Sequence, residues 1–104
     1  MKVYVCLELN SACLAEDAGE MNELTVIGTP EAACDWFVER VEDGKGNDFV
    51  LDEEDDLTEP EQIVNRDLLL EKIKEGSAEL TMFRDYQENW KDNYSIIVIA
   101  KEVE

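Results

Sequence analysis

Apolar and polar positions alternate through residues 2–9, which is the period of a β-strand. One face of this strand is aliphatic, at Val3, Val5, Leu7 and Leu9, and the other carries Tyr4, Cys6 and Glu8. A second apolar run, Leu24–Ile27, predicts a short strand that pairs most simply antiparallel with the first. The connection over residues 10–23 is long for a hairpin.

Residues 29–31 predict the start of a helix. The Thr29 hydroxyl can cap the helix, Pro30 suits the first helical position, and Glu31 places an acid in the first turn. The helix should run to about Asp43, with Gly44 closing it. At 100° per residue one side is apolar and should pack on the sheet, with Trp36 at its border. That side holds Ala33, Cys34, Phe37, Val38 and Val41, and the opposite side holds Glu31, Asp35, Glu39 and Glu42.

The second half of the chain predicts one more helix and three more strands. Residues 48–51 favour a short strand, and the acidic run that follows is a loop or the approach to a helix. Pro60 and Glu61 can start a helix that carries Ile63, Val64, Leu68, Leu69 and Ile73, is interrupted near Asn65 and ends at Gly76. Residues 78–84 and 94–103 then predict a hairpin whose turn, residues 85–93, is long, polar and aromatic-bearing.

These elements predict a single α+β domain spanning residues 1–104, in which two helices cover one face of an antiparallel sheet of four or five strands. About 100 residues suffice for one core and not for two. The pattern leaves the strand order and the oligomeric state undetermined.

Charge changes the picture most. The chain has 27 acidic and 9 basic residues and no histidine, a formal charge of −18 in 104 residues. Residues 16–61 alone hold seventeen acids against two bases. Because 44% of the chain is hydrophobic, the acidity belongs to a folded body and not to a disordered tail. Such a charge repels itself but speeds encounter with a basic partner, so it indicates the sign of a partner.

The acidic side of the first helix is a candidate binding surface. Glu31, Asp35 and Glu39 are spaced four residues apart, and each like-charge pair at this spacing costs about 0.2–0.5 kcal/mol, where a lysine would stabilise the helix. Acids four apart rise about 6 Å along a helix axis, so a carboxylate row can imitate part of a phosphate row. The alternative is an ordinary solvated surface. The candidate acidic positions are Glu31, Asp35, Glu39, Glu42, Asp43, Asp52, Glu53, Glu54, Asp55 and Asp56.

Tyr86 and Trp90 form a second candidate contact, since aromatic residues on a polar turn can anchor a protein interface. The equally good alternative is that these rings fold back and cap the core.

Catalytic and metal chemistry find little support. Without histidine the chain lacks the commonest general base and zinc ligand. Cys6, Cys13 and Cys34 lack the close pairs of zinc sites and are interpreted as structural. EF-hand registers beginning at Asp43 or Asp52 fail, because the glycine position falls on Asp48 or Leu57. We therefore expect no enzyme activity, no catalytic residues, no metal site and no cofactor.

Composition also constrains the compartment. Free cysteines in odd number suit a reducing environment, and the first residues resemble no signal peptide, so a cytoplasmic protein is expected. Anionic membranes and nucleic-acid phosphates would both repel this charge, so neither a membrane nor direct nucleic-acid binding is expected.

In size, charge sign, the acidic helix side and the 52–56 run, the chain resembles the small acidic anti-defence proteins of phages and mobile elements, including anti-CRISPR and anti-restriction DNA mimics. The resemblance rests on general character and not on a motif. It implies an inhibitor that occupies the basic nucleic-acid groove of a host nuclease or surveillance complex. Two alternatives remain: an interaction module that binds through the aromatic 85–94 turn, and an acid-rich surface of a salt-adapted protein.

Overall fold

The computed structural model describes residues 1–12, 20–51, 55–60, 63–87 and 90–103, with side chains at all of these except 11, 12, 20–22, 85–87 and 90–92. Within these ranges the protein is a compact α+β domain with two helices and an antiparallel five-stranded sheet. The predicted fold class is confirmed. The elements are β1 (Lys2–Ala12), β2 (Glu20–Ile27), α1 (Pro30–Gly46), β3 (Val50–Leu51), β4 (Thr58–Glu59), β5 (Ile63–Val64), α2 (Arg66–Glu75), β6 (Ser77–Gln87) and β7 (Trp90–Glu102).

The sheet order is β2-β1-β7-β6-β3, so the first and last long strands lie side by side near its middle. β1 pairs antiparallel with β2 on one side and along its whole length with β7 on the other. β7 pairs with β6, and β3 adds a two-residue edge to β6. The pairing of the two ends of the described chain is what the local pattern left open.

α1 begins as the sequence predicts. The Thr29 side chain accepts a hydrogen bond from the amide of Ala32 at 3.2 Å, and Pro30 occupies the first helical turn. The predicted end at Gly44 is wrong, because the helix continues to Gly46 and is capped by Asn47. Gly44 is buried inside the helix, where an added Cβ would lie 2.8 Å from Met82 Sδ. Close packing, and not a helix-ending conformation, accounts for this glycine.

α2 is shorter than predicted. Ile63–Val64 does not begin the helix but forms β5, which pairs with β4 in a separate two-stranded sheet. The helix starts after Asn65, whose side chain accepts a hydrogen bond from the amide of Leu68 at 3.2 Å. An asparagine at this position satisfies an orphan amide of the first turn, which explains the boundary. The predicted end at Gly76 is confirmed.

The last hairpin also differs from the prediction. β6 and β7 extend to Gln87 and Trp90, which are partners in the ladder, so most of the predicted 85–93 turn is strand. The pairing shifts register between Asp85 and Gln87. Polar residues can extend these strands because strand pairing uses backbone groups, and β1 and β6 supply the backbone partners for β7.

Both helices pack on one face of the sheet, and the core lies between the two layers. Phe37 and Val41 of α1, Leu69 and Ile73 of α2 and Ile96 of β7 are all fully buried there. The predicted inward side of α1 is confirmed, with Val38 and Trp36 partly buried at the border. In β1 the residues facing the helices are Tyr4 and Cys6. The aliphatic row of β1 therefore lies on the opposite side, which we call the outer face of the sheet.

Candidate functional site

The exposed side of α1 carries an acidic row. Glu31, Asp35, Glu39, Glu42 and Asp43 are all exposed. All five lie on α1, which holds Glu31, Asp35 and Glu39 about 6 Å apart along its axis. We call these five residues the α1 acidic row. The structure thus brings together half of the acidic positions singled out from the sequence.

Three cations lie among these carboxylates. Arg40 contacts Glu39 at 2.8 Å, Asp43 at 2.9 Å and, from β2, Glu23 at 3.5 Å. The side chain of Arg40 is 19% exposed, whereas those of Glu39 and Asp43 are 69% and 58% exposed. The guanidinium therefore lies beneath the carboxylates that it holds in place.

The same layering recurs near the C-terminal end of the row, where Lys45 is 29% exposed and pairs at 3.2 Å with Glu42, which is 63% exposed. Arg66 of α2 pairs with Asp35 and joins the two helices. The Arg66 side chain is 52% exposed against 65% for Asp35, so it lies beside this carboxylate and not beneath it. Arg40 and Lys45 are thus less exposed than the carboxylates that they pair with. A molecule approaching the C-terminal half of α1 therefore meets carboxylate oxygens first.

The acidic 52–56 run is only partly visible. Asp52, Glu53 and Glu54 lie outside the described residues. Asp55 has a structural role, because its Oδ1 accepts a hydrogen bond from the amide of Leu57 at 2.9 Å and its carbonyl accepts one from the amide of Thr58 at 3.0 Å. Asp56 is exposed. The proposed continuation of the acidic surface into this run thus rests on Asp56 among the described side chains.

Tyr86 and Trp90 lie on β6 and β7 and not on a long turn. Their side chains fall outside the described residues. The neighbouring Tyr94 is buried and its ring packs against Phe49 with centroids 5.5 Å apart. The choice between an aromatic anchor and a cap of the core stays a prediction for Tyr86 and Trp90, while Tyr94 belongs to the core.

A cleft of about 270 Å³ opens beside the C-terminal half of α1, between Asp43, Glu8, Tyr94 and Arg84. The Tyr94 hydroxyl donates a hydrogen bond to Glu8 Oε1. Burial first, and then this hydrogen bond and the charge of Glu8, raise the pKa of Tyr94. Arg84 lies over the Phe49 ring, 4.4 Å from its centroid, and donates to the carbonyl of Asn47 at 3.0 Å. The phenol is thus held protonated, and the cleft walls are tied together.

Cys6 and Cys34 are buried. Burial, with a smaller effect of the Glu23 charge, raises the pKa of the Cys6 thiol to about 11. Burial also raises the pKa of Cys34. A reactive cysteine needs a stabilised thiolate, so these two thiols are poor nucleophiles. The interpretation of Cys6 and Cys34 as structural agrees with this, and Cys13 lies outside the described residues.

Within the described ranges, no three Cys, Asp or Glu side chains are placed where they could hold a metal ion together. Neither α1 nor α2 is long and apolar enough to cross a membrane.

Sequence reasoning overlooked the outer face of the sheet. Val3, Val5, Leu7 and Leu9 of β1 lie on it. The register places Leu24 and Val26 of β2 on one side of this row and Ile97 and Ile99 of β7 on the other. We call these eight residues the aliphatic patch. The sequence of residues 2–9 could have indicated this face, because both faces of that strand are largely apolar and only one can pack on the helices.

None of the eight residues of the aliphatic patch is fully buried. Leu24 and Val26 are 54% and 57% exposed, and the six other residues are half-buried. Among the outward side chains that the structure describes, two carry charge, Glu79 and Lys101. Among the described side chains, the exposed side of α1 is therefore strongly acidic, whereas the outer face of the sheet carries one acid and one base.

Comparisons of this chain with protein-family models, curated proteins and solved structures find no match.

Proposed function

We propose that this protein is a non-enzymatic inhibitor whose α1 acidic row occupies a basic, nucleic-acid-binding groove on a nuclease or a surveillance complex. The observation that carries the proposal is the layering on α1, where Arg40 and Lys45 lie beneath more exposed carboxylates. A fixed outer layer of carboxylates is what a groove built for phosphates would bind.

Rigidity supports the proposal. A flexible acidic segment loses conformational entropy when it binds, whereas a helix with braced side chains has lost it on folding. Arg40 holds three carboxylates from two elements, and Arg66 fixes the position of Asp35 relative to α2. The spacing of the row is therefore set before the partner arrives.

Electrostatics supports it in the same direction. A net charge of −18 attracts a basic surface over a distance and raises the association rate by about 10- to 1,000-fold at low salt. That advantage is screened within about 10 Å at 0.1 M salt. Binding should thus weaken as salt is raised, as DNA binding to the same groove does.

The experiment begins with immobilised protein and a nuclease-treated bacterial lysate at about 0.1 M salt, where screening acts over about 10 Å. Bound proteins are released first with duplex DNA and then with rising salt, and identified by mass spectrometry. The expected partner handles nucleic acids, is displaced by DNA, and loses nucleic-acid binding or cleavage when the inhibitor is added. A salt-resistant partner with no nucleic-acid function would contradict the proposal.

Two matched charge-reversal variants then locate the contact. Asp35→Lys with Glu39→Lys should weaken partner affinity by about 100-fold or more, because each reversed charge faces a basic groove. Glu71→Lys with Glu75→Lys changes the net charge equally at exposed positions of α2 and should change affinity by less than about threefold. Equal losses in both variants would indicate a response to net charge alone, and no loss in the first would exclude the α1 acidic row.

A further inference from the structure

We infer that the outer face of the sheet is a self-association surface, through which two copies of this chain pack sheet against sheet. The inference is independent of the proposed function, because it concerns the side of the domain opposite to the α1 acidic row. It rests on the composition, the size and the electrical neutrality of that face.

Composition indicates a surface that is covered. The aliphatic patch spans the three adjacent strands β2, β1 and β7 without a charged residue among its eight members. Contiguous apolar surfaces of this kind on folded domains mark interaction sites. In this chain 36 of 104 side chains are charged, from 27 acids and 9 bases. Eight adjacent aliphatic side chains from the edge strand β2 to the central strand β7 are therefore unusual for its composition.

The size of the face suits a small interface. Strands lie about 4.8 Å apart and outward side chains about 6.7 Å apart along each strand, so each outward side chain covers about 32 Å². Sixteen outward side chains are described across the five strands, which gives about 500 Å² in projection. The accessible area exceeds this projection, and specific interfaces bury about 600 Å² per partner at the lower end of their range.

Charge decides between a second copy and the basic partner. A basic groove has no complement on a face whose described charges are one acid, Glu79, and one base, Lys101. An aliphatic patch is complementary to another of the same kind, the single acid and base outside it can pair across a two-fold axis, and two antiparallel sheets pack face to face at an angle of about 30°. The second copy supplies that surface.

Self-repulsion does not prevent this arrangement. In a face-to-face pair both helix layers point outwards, and with about 10 Å between packed layers the two α1 axes lie about 30 Å apart. The acidic rows lie on the outer sides of these helices and are farther apart still. The Debye length is about 8 Å at physiological ionic strength, so the rows barely interact. The resulting dimer would present one acidic row on each side.

The test is the molar mass in solution, measured by sedimentation equilibrium and light scattering from about 1 to 100 µM, the range in which a small interface dissociates. At physiological salt the wild-type chain should approach twice its mass of 11.9 kDa. A wild-type protein that stays monomeric to the upper limit overturns the inference and leaves the face to a different partner.

Variants identify the face. Leu24→Glu with Val26→Glu replaces exposed side chains on the patch and should give a monomer with an unchanged circular dichroism spectrum. Ala32→Glu with Ile63→Glu adds the same charge at exposed positions outside the five-stranded sheet and should stay dimeric. A dimer that persists in the first pair, or is lost in both, contradicts the inference.

Because β2 is an edge strand, a third variant separates face-to-face packing from pairing of sheet edges. Leu7→Thr with Ile97→Thr keeps strand-compatible residues on the central strands and removes aliphatic contact from the middle of the face. Face-to-face packing should be weakened by about tenfold or more, equal to about 1.4 kcal/mol. Edge pairing through β2 would survive this change, and its survival would overturn the inference.

Discussion

The Tyr94 hydroxyl donates a hydrogen bond to the Glu8 carboxylate across the β1–β7 pair, on the face of the sheet that supports the helices. Tyr94 is buried and Glu8 is partly buried, so each group depends on the other. Tyr94→Phe should lower the free energy of unfolding by about 1–2 kcal/mol, because the carboxylate loses its donor. Urea denaturation checks this. Glu8→Gln retains an acceptor and should cost less than Tyr94→Phe; the reverse order would contradict the explanation.

Gly44 tests the packing between α1 and the sheet. Replacing a glycine inside a helix by alanine ordinarily stabilises by up to about 1 kcal/mol. At Gly44 the new Cβ would lie 2.8 Å from Met82 Sδ and 3.1 Å from Tyr94 Cδ2, two atoms of buried side chains. Gly44→Ala should therefore destabilise, by about 1–3 kcal/mol. Gly46→Ala, where nothing lies within 4 Å of the added atom, is the control and should be neutral or stabilising in thermal melts.

Stability should fall in alkaline solution. The pKa of Cys6 is raised to about 11 in the folded chain, whereas an unfolded thiol titrates near about 8.5. Below that pH the Cys6 thiol is protonated in both the folded and the unfolded state, and its contribution to the free energy of unfolding is fully present. Above it the unfolded state loses a proton that the folded state keeps, so the free energy of unfolding falls by about 1.4 kcal/mol per pH unit until about pH 11.

The pKa of Cys34 is also raised in the folded chain, which adds to the loss of stability at alkaline pH. Cys6→Ala removes one titrating group, so its stability should decline less steeply between pH 8.5 and 10.5, even though its value at pH 7 is lower because of the lost packing. Urea denaturation in reductant at a series of pH values measures both slopes. Parallel slopes for wild type and variant would contradict the assignment to Cys6.

Asn65 tests where α2 begins. The helix starts after Asn65, so Asn65→Ala removes the acceptor of the Leu68 amide and should cost about 1 kcal/mol. Asn65→Asp keeps a capping oxygen and should cost little. Thermal unfolding distinguishes the two. An alanine variant as stable as wild type would favour a helix that starts at Pro60, where the sequence pattern placed it.

Arg40 tests the bracing of the acidic row. Arg40→Gln leaves the carboxylates of Glu23, Glu39 and Asp43 facing one another without their shared cation. We expect a loss of about 1 kcal/mol at 0.05 M salt and a smaller loss at 0.5 M, where the repulsion is screened. Arg40→Lys keeps the charge and serves as the control. A loss that does not depend on salt would indicate that Arg40 acts through packing alone.

Local signals in the sequence predicted α1 well. The cap at Thr29, the proline after it and the apolar side around Phe37 are effects within one or two turns of chain. They need no knowledge of distant residues, which is why they were readable. The same holds for the end of α2 at Gly76 and for the alternation in β1.

The errors arose where contacts between elements decide the structure and not the pattern within one element. Gly44 matches a helix-ending glycine locally, but Met82 and Tyr94 on the sheet require its small size. Ile63 and Val64 fit a helical pattern, but pairing with Thr58–Glu59 makes them a strand. Polar residues 85–93 look like a turn, but β1 and β6 supply backbone partners that extend the strands.

The candidate surfaces also divide into features that the sequence determines and features that only the tertiary structure decides. The excess of acids and their spacing along α1 follow from the sequence alone, because helical geometry places them. The tertiary structure decided that Arg40 and Lys45 lie beneath the carboxylates and that Arg66 reaches Asp35 from another helix. It also decided which face of β1 is covered. A period of two separates the faces of a strand but does not say which one the helices pack on, and here they cover Tyr4 and Cys6 and leave the aliphatic row outside.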